Sequence, residues 1–428
     1  MDRFLVSGGA RLDGTVHVSG AKNSALKLMA ASILAPGRSV VTNVPRIRDC
    51  DVMAEMLQHI GVSVQLEGGV AELDATSVTA FEAPHELARQ VRASIVVLGP
   101  LLARCGQARV ALPGGDDIGA RPVNLHVRGL ERMGATFRSE HGYLVAEAPA
   151  LRGASITLDY PSVTATENLL LASVLARGTT VIDNAAREPE IADLALFLTT
   201  MGAQVDGAGS STIEVQGVDE LHGAEHTAVP DRIEVGTWAA AAVATLGDIT
   251  IDNARPEHLE LLLAKLADAG AQIEVGDAGL RVRQVTRQQA MDLVTLPYPG
   301  VATDFQPILL AMLAVADGTS IVTENVFEGR FLYVGELQRM GADIRTQGHH
   351  AVIRGVPQLS AAPVRALDIR AGMALVIAAL CADGRTEISD VHHIDRGYED
   401  LEGKVRALGA DVRREGDAVV VPDAAGTR

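Results

Sequence analysis

The stretch Ser162-Val-Thr-Ala-Thr-Glu-Asn-Leu-Leu-Leu-Ala-Ser-Val-Leu-Ala-Arg-Gly-Thr-Thr-Val-Ile-Asp-Asn184 joins three signals in immediate succession. Leu169–Leu175 is apolar all round, the pattern of a helix buried on every side. Arg177-Gly178 ends it, and Thr180-Val-Ile-Asp-Asn184 follows with the branched residues of a strand. The same order recurs along the chain. Ala25–Ala35 runs into Pro36-Gly37 and the strand at Val40, and Ile308–Val315 runs into Asp317-Gly318 and the strand at Ser320. A second, amphipathic helix ends each time at a glycine: Gly61, Gly134, Gly202, Gly270, Gly341 and Gly409, spaced 68 to 73 residues apart. Glycine suits the left-handed position that stops a helix. Alternation of period two follows, as in Ala351-Val-Ile-Arg-Gly355. The unit reads β-α-β-α-β-β, in six copies, with three copies expected around the three buried helices of each of two domains.

What opens the buried helices points to chemistry. Lys22-Asn23-Ser24, Arg92-Ala-Ser94, Ser162–Thr166, Asp231-Arg232, Thr303-Asp304 and Asp368-Ile-Arg370 stand at the six starts. A helix N-terminus carries unpaired N–H groups and the positive end of the dipole, so it attracts anions. Lys22, Arg92, Arg232 and Arg370 at such ends oppose the dipole, an arrangement that an anionic ligand offsets.

Length and composition bound the rest. The 428 residues, 47% of them hydrophobic, suffice for two full cores. A net charge of −17 excludes nucleic acid as the expected partner, since phosphate backbones need a basic face. The chain opens Met-Asp-Arg-Phe without a signal peptide, and no uninterrupted apolar run reaches spanning length; a cytoplasmic protein that does not engage a membrane is expected. Cys50, Cys105 and Cys381 are too few and too scattered for a disulfide framework or metal site. The pairs His349-His350 and His392-His393 do not suit chelation either, because neighbouring strand residues face opposite ways. Trp238 reads as core and Arg255–His258 as a structural loop.

Pro113-Gly-Gly-Asp-Asp-Ile-Gly-Ala-Arg-Pro-Val-Asn-Leu-His126 is the candidate lid. Its three glycines allow unusual dihedrals, and it carries the acids Asp116 and Asp117 together with Arg121. A pliable segment holding a proton donor and an anion holder is what a closing active site requires.

With Lys22-Asn23, Pro113–His126, Asn184–Glu190, Pro230–Arg232, Phe327–Arg330 and His393-Ile-Asp-Arg-Gly-Tyr-Glu399 in view, the chain resembles the UDP-N-acetylglucosamine enolpyruvyl transferases from end to end. The related shikimate-pathway enzymes have Ser-Lys-Ser where this chain has Ala21-Lys22-Asn23. The resemblance implies an α/β fold of two inside-out α/β barrels, residues 1–21 plus 230–428 forming one and 22–229 the other. It implies transfer of enolpyruvyl from phosphoenolpyruvate to the sugar 3′-hydroxyl, the first committed step of peptidoglycan synthesis, with no cofactor or metal and with a monomer sufficient. By the same resemblance Lys22, Arg121 and Arg396 hold phosphate and carboxylate, supported by Arg330 and Arg370. Asp116 is the proton donor, Asp304 the base, and Asp368 and Asn23 stabilise the tetrahedral intermediate. Arg92, Arg121, Pro122, Val123, Asn124, Leu125, Ser162, Val163, Asp304 and Val326 line the nucleotide-sugar site.

Three positions depart from the family's usual pattern: Asp116 replaces cysteine, Asn124 replaces aspartate, and Thr164 replaces glycine. The last two keep open a simpler nucleotide as acceptor; a non-catalytic nucleotide-sugar binder is a third reading, opposed by the joint presence of Lys22, Asp304, Arg370 and Arg396. Closure, with Asp117 and phosphoenolpyruvate nearby, is expected to raise the Asp116 pKa from its ordinary value of about 3.9, against the pull of Arg121.

Overall fold

A computed structural model describes residues 2–116, 118–119, 122–276 and 279–416. Six four-stranded sheets recur among them, each with one parallel pair and two antiparallel pairings. In the unit that contains the opening stretch, Ser155–Thr157 lies parallel to Thr179–Asp183, and the buried helix Val163–Ser173 makes the crossover. Parallel neighbours need such a crossover, whereas the hairpin strands Gln204–Asp206 and Thr212–Gln216 pair antiparallel. The order read from sequence is thus the order observed here.

Only three of the six units are contiguous, which the sequence pattern does not reveal. Glu225–Thr227 supplies the parallel partner of Arg38–Thr42, far back in the chain. Asp13–His17 pairs parallel with Asp248–Asp252, and Arg3–Ser7 inserts between Arg385–Ser389 and Val412–Glu415. Strands from one end of the chain therefore close units at the other, so no sheet is left short of its fourth strand.

The buried helices behave as their composition demands. Every residue of Arg232–Ala244 and of Ile369–Leu380 is buried, Trp238 included. The outer helices stop at glycines in the left-handed region, with φ of 106° at Gly61, 98° at Gly134 and 107° at Gly202. Side chains gather into two hydrophobic cores. A terminal core draws on residues 4–18 and 233–412, and a central core draws on residues 25–228.

Two adjacent segments pass between these cores. Ala21 N donates to Val229 O at 2.7 Å and Asp231 N to Ser19 O at 2.9 Å, around a bridge between Gly20 and Pro230. A Cβ on Gly20 would lie 1.6 Å from the Asn43 carbonyl oxygen, so the close approach depends on glycine. Gly20→Ala is expected to push the crossing apart and cost about 1–3 kcal/mol. A fall in the thermal midpoint checks this; an unchanged midpoint shows that the crossing tolerates the methyl group.

Candidate active site

The starts of all six buried helices border one cavity of about 600 Å³. Lys22 and Asn23, Arg92, and Ser162 with Val163 reach it from the central core; Arg232, Asp304 and Arg370 reach it from the terminal core. Helix ends pointed at a shared space add their dipoles there, and the cationic side chains strengthen the same field. Globally acidic, the chain is locally an anion receptor.

Lys22 and Arg396 form the first cationic group. Asp49, 1% exposed, joins them: its Oδ2 lies 2.6 Å from Lys22 Nζ and its Oδ1 accepts from Arg396 Nε at 2.9 Å. Arg396 Nη1 donates to Asp116 Oδ1 at 2.6 Å. Burial pushes Asp116 upward, but Arg396, Lys22 and Arg330 outweigh it and hold the carboxyl below its ordinary value. Asp116 is thus an ion-pair partner of the clamp, and these cations rather than burial set the direction of its shift.

The second cationic group is Arg370 and Arg330 around Asp304. Arg370 Nε donates to Asp304 Oδ1 at 2.9 Å, and Arg330 Nη2 lies 3.7 Å from the same oxygen. Burial opposes ionisation of Asp304, yet Arg370 and Arg330 drive its pKa far below the carboxylate range. Asp304 is therefore an anion at neutral pH, as a proton acceptor must be, and a weak base while both guanidiniums hold it. Arg330 Nε and Nη2 and Arg370 Nη1 are buried without a hydrogen-bond partner. Unmet donors of this kind cost roughly 1–3 kcal/mol each, a penalty that an arriving oxyanion relieves.

Asp368 is placed differently. It caps the Ile369–Leu380 helix, its Oδ1 accepting from Arg370 N at 2.8 Å and Ala371 N at 2.9 Å, and it is not part of the cavity wall. By fixing that first turn it aims Arg370.

Arg92, Pro122, Asn124, Leu125 and Val326 also line the cavity. Val123 caps the Asn124–Arg132 helix from outside the wall, while Arg121 and Asp117 lie outside the described residues. Behind the wall, Asn168 takes an N–H from Gly99 and gives one to Ile95 O, which fixes its amide orientation. Its Nδ2 then donates to His126 Nδ1 at 2.8 Å, leaving the proton of the neutral ring on Nε2, 3.3 Å from Thr164 Oγ1. Burial, with Arg92 nearby, pushes the His126 pKa down to about 3. Thr164 itself borders the cavity, and its hydroxyl lies against the His126 ring.

Several wall residues escape sequence reasoning. Asp49 reads there as an ordinary acid in the first turn of the Arg48–Ile60 helix. Glu190 pairs with Arg232 Nε at 3.0 Å between the two cores, and Lys27 faces the fully buried Glu167 at 3.5 Å. Burial pushes the Glu167 pKa up to about 7. Lys27 and Glu167 do stand as a base and an acid inside apolar runs, but sequence alone cannot pair them.

The glycine-rich loop is docked across the cleft. Gly114 N donates to Ala88 O and Arg92 Nη1 to Pro113 O, while on the other flank Gly329 N donates to Ile118 O at 3.1 Å. Ile118 is 5% exposed beneath the loop.

A sequence profile of the family described as EPSP synthase (3-phosphoshikimate 1-carboxyvinyltransferase) matches residues 6–405. Among solved structures, the enolpyruvyl transferase NikO from Streptomyces tendae has a TM-score of 0.85 at 28% identity, covering 96% of this chain and 98% of that one. EPSP synthase from Acinetobacter baumannii shares the fold, with a TM-score of 0.77 at 17% identity over 97% of this chain and 100% of that one. The two-domain enolpyruvyl transferase fold implied by the resemblance, with the six units read from the repeats, is the fold observed. The UDP-N-acetylglucosamine 1-carboxyvinyltransferase of Corynebacterium jeikeium (strain K411) is 56% identical over 413 residues, 96% of this chain and 99% of that one. The Mycobacterium tuberculosis protein of that name is 54% identical over the same shares. The chain belongs to this carboxyvinyltransferase family, within the group named for UDP-N-acetylglucosamine.

A Cβ on Gly329 would meet the Ile118 carbonyl carbon at 2.9 Å and its oxygen at 3.0 Å. Gly329→Ala is expected to undock the loop and raise amide exchange in residues 113–119 by about tenfold or more, leaving both cores unaffected. Unchanged exchange there means that this contact does not hold the loop.

Proposed function

We propose that the cavity transfers the enolpyruvyl group of phosphoenolpyruvate to the 3′-hydroxyl of UDP-N-acetylglucosamine, releasing phosphate in the committed step of peptidoglycan synthesis. The observation that carries this reading is the pair of cationic groups facing one cavity, one of them with three buried, unpartnered donors. Phosphoenolpyruvate bears two anionic groups, and two separate guanidinium clusters suit it. Lys22 and Arg396 take the phosphate side; Arg330 and Arg370 take the carboxylate side, with Arg121 joining the clamp.

In the addition step, Asp304 accepts the hydroxyl proton as the sugar oxygen bonds to C2, and Asp116 protonates the methylene carbon. Asn23 and Asp368 stabilise the tetrahedral intermediate, Asp368 by way of the helix start it caps. The Asp116 carboxylate then takes a proton back from the new methyl group as phosphate departs, which restores the double bond. Asp304 becomes a stronger base as the substrate carboxylate draws Arg370 and Arg330 away from it. Arg92, Pro122, Val123, Asn124, Leu125, Ser162, Val163 and Val326 cradle the nucleotide sugar.

The two cores support a division into residues 1–21 plus 230–428 and residues 22–229, with the reacting groups contributed from both sides. No helix among the described residues is long and apolar enough to cross a membrane. Both substrates are cytoplasmic metabolites, and the reading places the protein with them.

Phosphate release with phosphoenolpyruvate and UDP-N-acetylglucosamine tests the reading directly; uridine monophosphate as the better acceptor would overturn it. Lys22→Ala removes a charge-assisted contact of about 1.5–3 kcal/mol, so kcat/KM is expected to fall by roughly ten- to over a hundredfold. The fold should survive, since Asp49 keeps Arg396. Wild-type turnover in this variant removes Lys22 from the clamp.

Asp116 also sets the response to fosfomycin, which acts on this family by alkylating the loop cysteine. A thiolate opens an epoxide far more readily than a carboxylate does. The native protein is expected to resist inactivation, and Asp116→Cys to gain time-dependent inactivation while remaining active. Inactivation of the native protein at the rate of the Cys variant refutes this.

A further inference from the structure

Arg396 has two carboxylate partners, Asp49 and Asp116, and they are not equivalent. Asp49 is 2% exposed at its side chain, sits within a helix and also holds Lys22, so it is a permanent part of the clamp. Asp116 sits on the glycine-rich loop and borders the cavity, 2.6 Å from Nη1. It occupies an anion position on a cation that the proposed reaction assigns to the substrate.

We propose that Asp116 stands in for the substrate anion on Arg396, that the arriving phosphate group displaces it, and that the displaced carboxyl takes up a proton from solvent and thereby becomes the acid of the transfer. This rests on the functional reading above and deepens it. The step involves one proton and no change of oxidation state: the carboxylate gains H⁺ on binding and gives it to the methylene carbon during addition.

The loop geometry makes displacement without escape possible. On one flank Gly114 N and Gly115 N donate to Ala88 O and Arg89 O; on the other Ile118 O accepts from Gly329 N. A carboxyl that leaves Arg396 while both flanks stay docked remains in the buried cleft. A Cβ on Gly114 would sit 2.2 Å from Arg89 O and one on Gly119 2.6 Å from Glu328 Oε2, so the seated path depends on these glycines.

The surroundings then act in one direction. The charged groups bearing on Asp116 include Arg396, Lys22 and Arg330, with Asp49 on the far side of Arg396. His393 also faces it, with a ring that burial holds below its ordinary pKa and a buried Nδ1 that lacks a hydrogen-bond partner. Paired with Arg396, Asp116 is kept ionised by the cations. Once Arg396 turns to a phosphate, the strongest counter-charge is shared, burial persists and a new negative charge stands nearby. Each of these changes raises the carboxyl pKa. The same arrangement explains how one carboxylate serves as both latch and acid, roles that need opposite protonation states.

Two consequences are measurable without turnover. Calorimetric titration of the full-length protein with inorganic phosphate, in the presence of UDP-N-acetylglucosamine, is run near pH 7 in two buffers of different ionisation enthalpy. The wild type is expected to take up more protons per phosphate than Asp116→Asn, by up to about one, the ionisation of phosphate itself being common to both. Asp116→Asn is also expected to bind phosphate about tenfold tighter or more, because the competitor for Arg396 is gone. Asp116→Cys, a neutral thiol below its pKa of about 8.5, should reproduce both effects if the Asn variant does not fold. Equal proton counts, or phosphate binding no tighter in the variants, overturns the displacement. Turnover of the two natural substrates is measured separately. Its absence alongside both differences removes the functional reading and leaves the displacement standing; its presence with equal proton counts does the reverse.

Discussion

Asp49 holds Lys22 with one oxygen and Arg396 with the other, and the active cleft depends on that bridge. Lys22 opens a helix of the central core, whereas Arg396 ends a 3₁₀ turn that packs in the terminal core. Two like charges brought together at the meeting of two bodies would repel. A buried carboxylate between them converts repulsion into a link. It also sets the spacing of a clamp that neither core could build alone. Arg232 with Glu190 repeats the device further along the same boundary. Ion pairs between the cores thus stand beside the cavity that the helix starts share.

That principle reconciles an acidic protein with an anionic ligand. The net charge of −17 is spread over the surface, where water screens it. The cleft concentrates arginines and a lysine at helix ends, with carboxylates as internal counterions. Two of those counterions are also the carboxylates to which the proposed reaction gives the base and the acid. Asp304 on Arg370 and Asp116 on Arg396 are held ionised by these cations, so in the proposed reaction substrate binding and the acid–base state of the site are coupled.

The buried helices, their glycine-stopped neighbours and the basic residues at their starts were legible in the sequence because each is a local property. Apolarity all round marks burial, a left-handed glycine marks a stop, and a cation at a helix start marks a local electrostatic conflict. The family resemblance extended this to the loop and to part of the cavity wall, Lys22, Asn23, Asp304 and Arg396 among them.

Only the tertiary structure decided which distant segments meet. Strand pairing is indifferent to separation along the chain, so nothing local announces that Arg3–Ser7 fills a sheet with Val412–Glu415. Asp49 looks like any acid in the first turn of a helix until Arg396 is brought to it over |i−j| = 347. The ionisation of Asp116 turned on the same fact. Its charge state depends on a guanidinium 280 residues away, and a Coulomb interaction follows distance in space rather than distance in sequence.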